Sequence, residues 1–277
     1  MKRIITRINE GLSSNYSAGE ISALTRIIAI ELLDIPQMTF FLKDDVTLTA
    51  GQEALLDNAI TRLQKQEPIQ YILGYSDFCG LRFKVTPATL IPRPETSELV
   101  EWIASEANGN ESILDIGTGS GCIAISLAHK LPQSKVTAWD ISPDALAVAT
   151  ENSKANGCAV EYEEVDILAY EPTGEQFDII VSNPPYIKEN EKAAMHSNVL
   201  DWEPHTALFV PDSDPLLFYR TIAKKGLTLL NPGGRLYFEI NRAHGKETME
   251  MLESLGYTSI ELRKDFAEND RMIRAVK

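Results

Sequence analysis

The spacing of apolar and polar positions changes character about a third of the way along the chain. From Ala18 to Leu33 (AGEISALTRIIAIELL) apolar residues recur at Ile21, Leu24, Ile28 and Leu32, which puts them on one side of an amphipathic helix. A second helix is predicted over Gly51 to Gln64, with Leu55, Ile60 and Leu63 as apolar positions and Thr49 as its cap. Short helices gain most of their stability by packing apolar faces together, so the stretch before Leu90 reads as a small helical bundle. Gly74, Gly80 and the alternating Phe78, Leu81, Phe83 and Val85 predict a brief hairpin at its exit.

Beyond residue 85, apolar runs of strand length alternate with helical patterns. ESILDIGTGSG is a strand running into glycines, SGCIAISLAHKL a helix, KVTAWDIS a strand ending in an acid, and PDALAVATENSKANG a helix. The alternation continues through the strand FDIIVSNPPYI, the helix around LLFYRTIAKKGLTLL, the strand GGRLYFEIN and the helix KETMEMLESLG. Such alternation predicts an α/β fold with a parallel sheet covered on both faces. The final runs, TSIELRKD and RMIRAVK, read as an antiparallel hairpin closing that sheet. The expected division is therefore a helical domain over residues 1–85, exit hairpin included, and an α/β domain over residues 86–277. No internal repeat is visible.

Composition narrows the class. With 44% apolar and 24% charged residues in 277, the chain can fill a core and is neither disordered nor low-complexity. The formal net charge is -14; residues 1–85 carry 9 basic and 10 acidic groups, and the remainder 17 and 30. A surface this acidic repels nucleic acid and anionic membrane, so neither is expected as a main partner. Cys79, Cys122 and Cys158 are an odd number without a close pair, which fits a reducing compartment and points to the cytoplasm. Met1 to Gly11 is interrupted by Arg7 and Glu10 and offers no signal-peptide core, and no apolar segment approaches the ~20 residues that span a bilayer.

The chemistry-bearing segments lie in the α/β part. Gly117, Gly119 and Gly121 alternate where a strand becomes a helix, letting the backbone turn tightly beside a ligand; a tight structural turn would look the same. The next strand ends at Asp140, an acceptor placed to meet two ribose hydroxyls. These features call for an adenosine-containing cofactor without separating NAD from other candidates. Asn183-Pro184-Pro185-Tyr186 discriminates further. Two prolines end the strand outside the carboxyl edge of the sheet, where open α/β folds bind ligands, and Asn183 brings a carbonyl acceptor and an amide donor. The plainer reading is a rigid turn in which Asn183 caps the chain and Tyr186 packs on the core.

This combination resembles the class I S-adenosylmethionine-dependent methyltransferases, and more closely the release factor glutamine methyltransferases, the PrmC or HemK family. The resemblance covers essentially the whole chain. Glu67-Pro68-Ile69-Gln70-Tyr71-Ile72-Leu73-Gly74, Leu90-Ile91-Pro92-Arg93-Pro94-Glu95-Thr96 and Glu203-Pro204 with Ala207-Leu208 occur in the family's order, besides the glycine loop and Asn-Pro-Pro-Tyr. It implies a Rossmann-like, seven-stranded, mostly parallel sheet with an antiparallel terminal hairpin, preceded by a helical domain that helps dock the release factor. It also implies that Gly117, Thr118, Gly119, Ser120, Gly121 and Asp140 hold the methionine and ribose parts of S-adenosylmethionine, with Asp166 and Ile167 beside the adenine. Asn183 would meet both cofactor and substrate, and Asn183, Pro184, Pro185 and Tyr186 would hold the glutamine of the release factor's Gly-Gly-Gln loop. Within that set Asn183, Pro184 and Tyr186 are the expected catalytic residues. Arg93 has two readings, a salt bridge anchoring the segment between the two parts or a contact to the incoming peptide. Three features depart from the family's pattern: Ser97 where an acid is common, Asn241 where glycine is usual, and a loop from Asp265 to Arg271 without its usual glycine. None of them is expected to touch the glutamine clamp. Trp202 and His205 read as loop packing.

The expected reaction is methyl transfer to the glutamine side-chain amide nitrogen (N5), with release factors as partners. No metal is expected: His129, His196, His205 and His244 are dispersed, and neither H-E-x-x-H nor a Cys-rich site occurs. The rival readings are a nucleic-acid adenine-N6 methyltransferase, an NAD-dependent dehydrogenase and a non-catalytic cofactor-binding adapter. The first lacks a basic recognition region, the second a catalytic His or Tyr-x-x-x-Lys, and the third leaves an intact methyl-transfer site unused. The oligomeric state is left open, a monomer being compatible with everything above.

Overall fold

A computed structural model describes the chain from Met1 to Lys277, the side chain of Ala194 excepted. It divides into two compact units: Met1–Gly74 with His196–Trp202, and Tyr75–Met195 with Glu203–Lys277. The boundary differs from the expected one at residue 85. Phe78 and Phe83 of the hairpin Tyr75–Phe78/Leu81–Lys84 are buried with Leu99, Val100 and Ile113, and Asn152 bonds both the N–H and the C=O of Lys84, so the hairpin belongs to the α/β unit.

The first unit is helical, as expected, but with more helices than the periodicity revealed. Lys2–Leu12 buries Ile4, Ile8 and Leu12 along one stripe, while Arg7 leaves that stripe to pair with Glu53 and Asp57. Ala18–Ile27 is capped reciprocally by Ser17 and Glu20 and runs into a π-helical turn, Ile28–Leu32. The extra residue in that turn advances the buried face by one position, so Leu33 is buried where Leu32 was expected. Ala50–Gln64 starts on a capping box of Thr49 and Gln52, and buries Leu56, Ala59, Ile60 and Leu63; Leu55, expected inside, faces water. Gln37–Leu42 has no buried residue and exposes Met38, Phe41 and Leu42. In the same unit, Ser197 donates to Gln66 and the Trp202 indole to the Lys65 carbonyl.

The second unit is built on a seven-stranded sheet: β1 (Ser112–Ile116), β2 (Lys135–Asp140), β3 (Glu161–Glu164), β4 (Phe177–Ser182), β5 (Leu230–Glu239), β6 (Thr258–Lys264) and β7 (Asp270–Val276). Their order is 3-2-1-4-5-7-6, with β1 to β5 parallel and β7 antiparallel to both neighbours. The central strands are buried on both faces, which is why they read as unbroken apolar runs. Ile179 and Val181 pack under the helices Pro94–Glu106 and Cys122–Lys130, while Ile180 packs under Leu217–Leu229. Two elements escaped the sequence pattern. β3 reads EYEE and sits at the edge of the sheet, where charge is tolerated, and the helix Pro94–Glu106 begins inside the segment Leu90 to Thr96, which was read only as a motif. Ile116, Ser182 and Phe238 are aligned by register, so the ends of β1, β4 and β5 share one edge. The chain winds outward in both directions from between β1 and β4, and that switch point opens a crevice.

Candidate active site

The glycine loop closes over the end of β2. Gly117 and Thr118 N–H both donate to the Trp139 carbonyl (2.8 and 3.0 Å), and Gly119 N–H donates to Asp140 Oδ2 at 2.8 Å. Gly119 has φ 55° and nothing within 4 Å of where a Cβ would stand, so the backbone itself forms the cleft wall. Gly121 serves packing instead: a Cβ there would stand 2.8 Å from Ile125 and 3.1 Å from Ala149. Asp140 Oδ1 accepts from Ser142 N–H at 2.9 Å, while Ser142 Oγ caps the helix Pro143–Asn156. Burial raises the Asp140 carboxyl above its ordinary value, and the N–H donors of Ser142, Gly119 and Ile141 partly offset this.

Gly117, Gly119, Asp140 and Ser142 line a cleft of about 360 Å³ together with Asp166, Ile167, Asn183, Pro184 and Pro185. Eight of the expected site residues thus converge from the ends of β1, β2 and β4 and the segment after β3. Asp166 Oδ1 accepts from Leu168 N–H at 2.9 Å, fixing a turn that leaves Leu168 42% exposed, and Ile141 is 55% exposed on the same cleft. Large apolar side chains facing an open cleft beside a carboxylate suit a ligand with a flat ring and a hydroxylated sugar. Ile141, Ser142 and Leu168 were missed from the sequence, although Ile141 and Leu168 each closely follow an acid at a strand's end. Ala88, Thr89, Thr206 and Phe218 also line the cleft and carried no local signal, whereas Leu90 opens the segment Leu90 to Thr96.

Asn183 is half-buried, and among the described residues its side-chain amide has no hydrogen-bond partner in the protein. That disposes of the capping role. The Pro184 carbonyl likewise accepts no hydrogen bond from the described residues.

Five expected site residues do not line this cleft. Thr118 is buried and donates to Asp115 Oδ2 at 2.7 Å; Ser120 is buried, and Gly121 sits against the helix. Asp115 lies beneath the loop with Oδ1 unpartnered, and burial pushes its carboxyl up to about 7. Tyr186 turns away from the cleft and lines a second cavity of about 330 Å³, where burial pushes its phenol well above the ordinary range. The reason is that Ile187–Lys188 pairs in parallel with Phe209–Val210, which sets the direction of the chain after the prolines. Arg93 takes the salt-bridge reading: it reaches Glu203 Oε1 at 2.6 Å, and Glu203 Oε2 accepts from Ile91 N–H at 3.3 Å.

Asn241 overturns the expectation that the departures avoid the clamp. Its Nδ2 donates to the Tyr186 carbonyl at 3.3 Å, its Oδ1 accepts from Ala243 N–H, and its own N–H donates to the Tyr219 hydroxyl. In the loop lacking glycine, Glu268 stands at φ 62°, a left-handed conformation that glycine would adopt without strain. Glu239, at the end of β5, is buried, accepts from Thr96 Oγ1 at 2.6 Å and is pushed up to about 7 by burial. His205 packs edge-on against Phe209. Among the described residues no group of three or more His, Cys, Asp or Glu is placed to hold a metal, and no helix is long and apolar enough to cross a membrane.

The strand order and the cleft at its switch point are those of the class I methyltransferase fold. A methyltransferase from Pyrococcus furiosus matches the fold with a TM-score of 0.55 over 83% of this chain and 99% of its own, at 19% identity. Residues 95–201 match the family described as methyltransferase small domain, and residues 7–74 that described as PrmC N-terminal domain. The chain is 49% identical to a release factor glutamine methyltransferase of Bacteroides thetaiotaomicron over 99% of both chains. It is 46% identical to that of Flavobacterium psychrophilum (99% of this chain, 98% of the other) and 39% to that of Streptococcus pneumoniae (88% and 87%). The chain belongs to the release factor glutamine methyltransferase family.

Proposed function

We propose that the chain transfers the methyl group of S-adenosylmethionine to the side-chain amide nitrogen (N5) of the glutamine in the Gly-Gly-Gln loop of peptide chain release factors. The observation that carries the reading is the unpartnered Asn183 amide on the wall of a cleft whose other end holds Asp140. Asp140 would accept from the ribose hydroxyls, Gly117 and Gly119 would face the methionine part, and Ile141, Ile167 and Leu168 would enclose the adenine beside Asp166. Bound there, S-adenosylmethionine supplies a methyl group on cationic sulfur, an electrophile that needs no further activation.

The difficulty lies with the acceptor. A carboxamide nitrogen delocalises its lone pair into the carbonyl, and no protein side chain is basic enough to deprotonate it beforehand. Asn183 Oδ1 and the Pro184 carbonyl can accept its two hydrogens, turning the lone pair out of conjugation and favouring the charge that develops on nitrogen. Both acceptors are neutral, so they tolerate a proton that leaves only after transfer. Fixing nucleophile and methyl in line contributes up to roughly 7–11 kcal/mol in favourable cases. Pro185 stiffens the segment, and Tyr186 anchors its far end through Asn241 and the second cavity.

The helical unit is assigned to docking the release factor, supported by the three exposed apolar side chains of Gln37–Leu42. The adenine-N6 reading is not favoured: the relatives are named for glutamine, and a net charge of -14 opposes a polyphosphate. The test incubates the protein with labelled S-adenosylmethionine and purified release factor, then locates the label by peptide mass spectrometry. Label on the Gly-Gly-Gln glutamine is expected; label on another residue, or none, would sink the reading.

A further inference from the structure

We propose that the second cavity, which begins at the Tyr186 end of the Asn-Pro-Pro-Tyr segment, is a subsite for the polypeptide flanking the acceptor glutamine, with Arg242 donating to its main-chain carbonyls. The proposal rests on the reading of the chain as a release factor glutamine methyltransferase. One tetrapeptide walls two spaces: Asn183, Pro184 and Pro185 line the cofactor cleft, and Tyr186 lines the second cavity with Asn241, Arg242 and Arg271. An acceptor glutamine held at Asn183 is covalently bound to neighbours, and two residues of extended chain span at most ~7 Å. The flanking main chain must therefore run close to this tetrapeptide.

The walls of the cavity are fixed and its charges are accounted for, with one exception. Asn241 ties the Tyr186 carbonyl to the end of β5. Arg271 is held by buried Asp265 at 2.9 Å. Glu191 accepts from the Lys188 N–H at 3.1 Å. Arg242 is exposed, its one hydrogen bond reaches Asn269 Oδ1 at 3.5 Å, and it forms no ion pair among the described residues. In a chain with 40 acidic against 26 basic groups, a guanidinium without a carboxylate at a cavity mouth has donors to spare. A neutral acceptor fits this cavity, because Arg271 is already neutralised by Asp265 and Glu191 balances the charge of Arg242. Main-chain carbonyls meet that requirement, and glycines beside the acceptor glutamine would offer no other acceptor.

The test uses the full-length protein, purified release factor and S-adenosylmethionine. Arg242→Ala should raise KM for the release factor about 10-fold to 100-fold, as expected for losing charge-assisted hydrogen bonds, with kcat and calorimetric S-adenosylmethionine affinity within about twofold. Lys246→Ala removes the same charge four residues away and should change nothing. Arg242→p-benzoylphenylalanine, irradiated with release factor, should cross-link within a few residues of the acceptor glutamine. An unchanged KM, an equal effect from Lys246→Ala, or a cross-link elsewhere would each overturn the subsite. Wild-type turnover tests the functional reading separately: without methylation of the release factor, that reading falls and the subsite with it.

Discussion

Replacing Asn183 separates a side chain that orients the nucleophile from one that holds the fold. Asn183→Ala deletes Oδ1 and Nδ2 and leaves the Pro184 carbonyl in place. The side chain makes no hydrogen bond to any described residue and is only half-buried, so its loss should change folding stability by no more than about 0.5 kcal/mol. If Oδ1 accepts an amide hydrogen whose acidity grows in the transition state, removing it costs about 2.7–4 kcal/mol, or roughly 100-fold to 1000-fold in rate. The two numbers differ enough to be told apart in one variant. Single-turnover methylation at saturating release factor and S-adenosylmethionine isolates the chemical step, and thermal unfolding of the same preparation reports stability. Asn183→Asp keeps the shape and an oxygen acceptor but adds a charge beside the reacting nitrogen, and should also be slow. A folded Asn183→Ala protein with near wild-type single-turnover rate would refute the orienting role, and a large loss of melting temperature would return Asn183 to a structural part.

Three further outcomes follow from the geometry. Asp140→Ala should weaken calorimetric S-adenosylmethionine binding about 10-fold to 150-fold, because it removes the ribose acceptor and releases the N–H groups of Gly119 and Ser142; unchanged affinity would contradict the placement. Asp115 titrates near 7 in the folded chain against an ordinary 3.8, so between those values the folded state holds a proton that the unfolded state has lost, and stability falls as pH rises through that window before levelling off. Asp115→Asn should flatten this fall, which can reach a few kcal/mol, in melting curves of the cofactor-free protein between about pH 4 and pH 8; an unaltered slope would show that Asp115 is ionised throughout. Phe41→Glu, on the exposed helix of the first unit, should raise KM for intact release factor about 10-fold and leave S-adenosylmethionine affinity untouched, whereas an unchanged KM would remove that helix from the docking surface.

How much could be read beforehand depended on how local each signal was. Gly117, Gly119, Asp140 and Asn183-Pro184-Pro185 line the cleft at the sheet edge, where the sequence put them, because a strand that ends in glycine, acid or Pro-Pro carries its own stop and therefore its own place at that edge. Ile141 and Leu168 were harder: apolar residues are ordinarily assigned to a core, and only the cleft shows these two facing open space. The strand Glu161–Glu164 was invisible because an edge strand needs no apolar run, and Lys2–Leu12 because Arg7 and Glu10 interrupt its hydropathy without entering its buried stripe. Leu33 displaced Leu32 because one π-helical turn shifted the period, which no count of 3.6-residue repeats anticipates.

By itself, the sequence determined the fold class and the ligand-facing edge: apolar strands alternating with helices give an α/β sheet, and a glycine loop followed by an acid and a Pro-Pro stop mark its carboxyl edge, since each rests on backbone preferences acting over a handful of residues. Only the tertiary structure decided where long-range partners steer a side chain. Tyr186 turns from the cofactor cleft because Ile187–Lys188 pairs with Phe209–Val210, and Arg93 is claimed by Glu203 from 110 positions away. Residues His196–Trp202 group with the first unit although they follow Asn183-Pro184-Pro185-Tyr186 in the chain. Asn241 reaches the Tyr186 carbonyl across 55 positions, so a departure from the family's usual glycine ties down the end of the Asn-Pro-Pro-Tyr segment. In each case the partner is distant in sequence, so the free energy that selects the orientation appears only once the sheet has brought the two together.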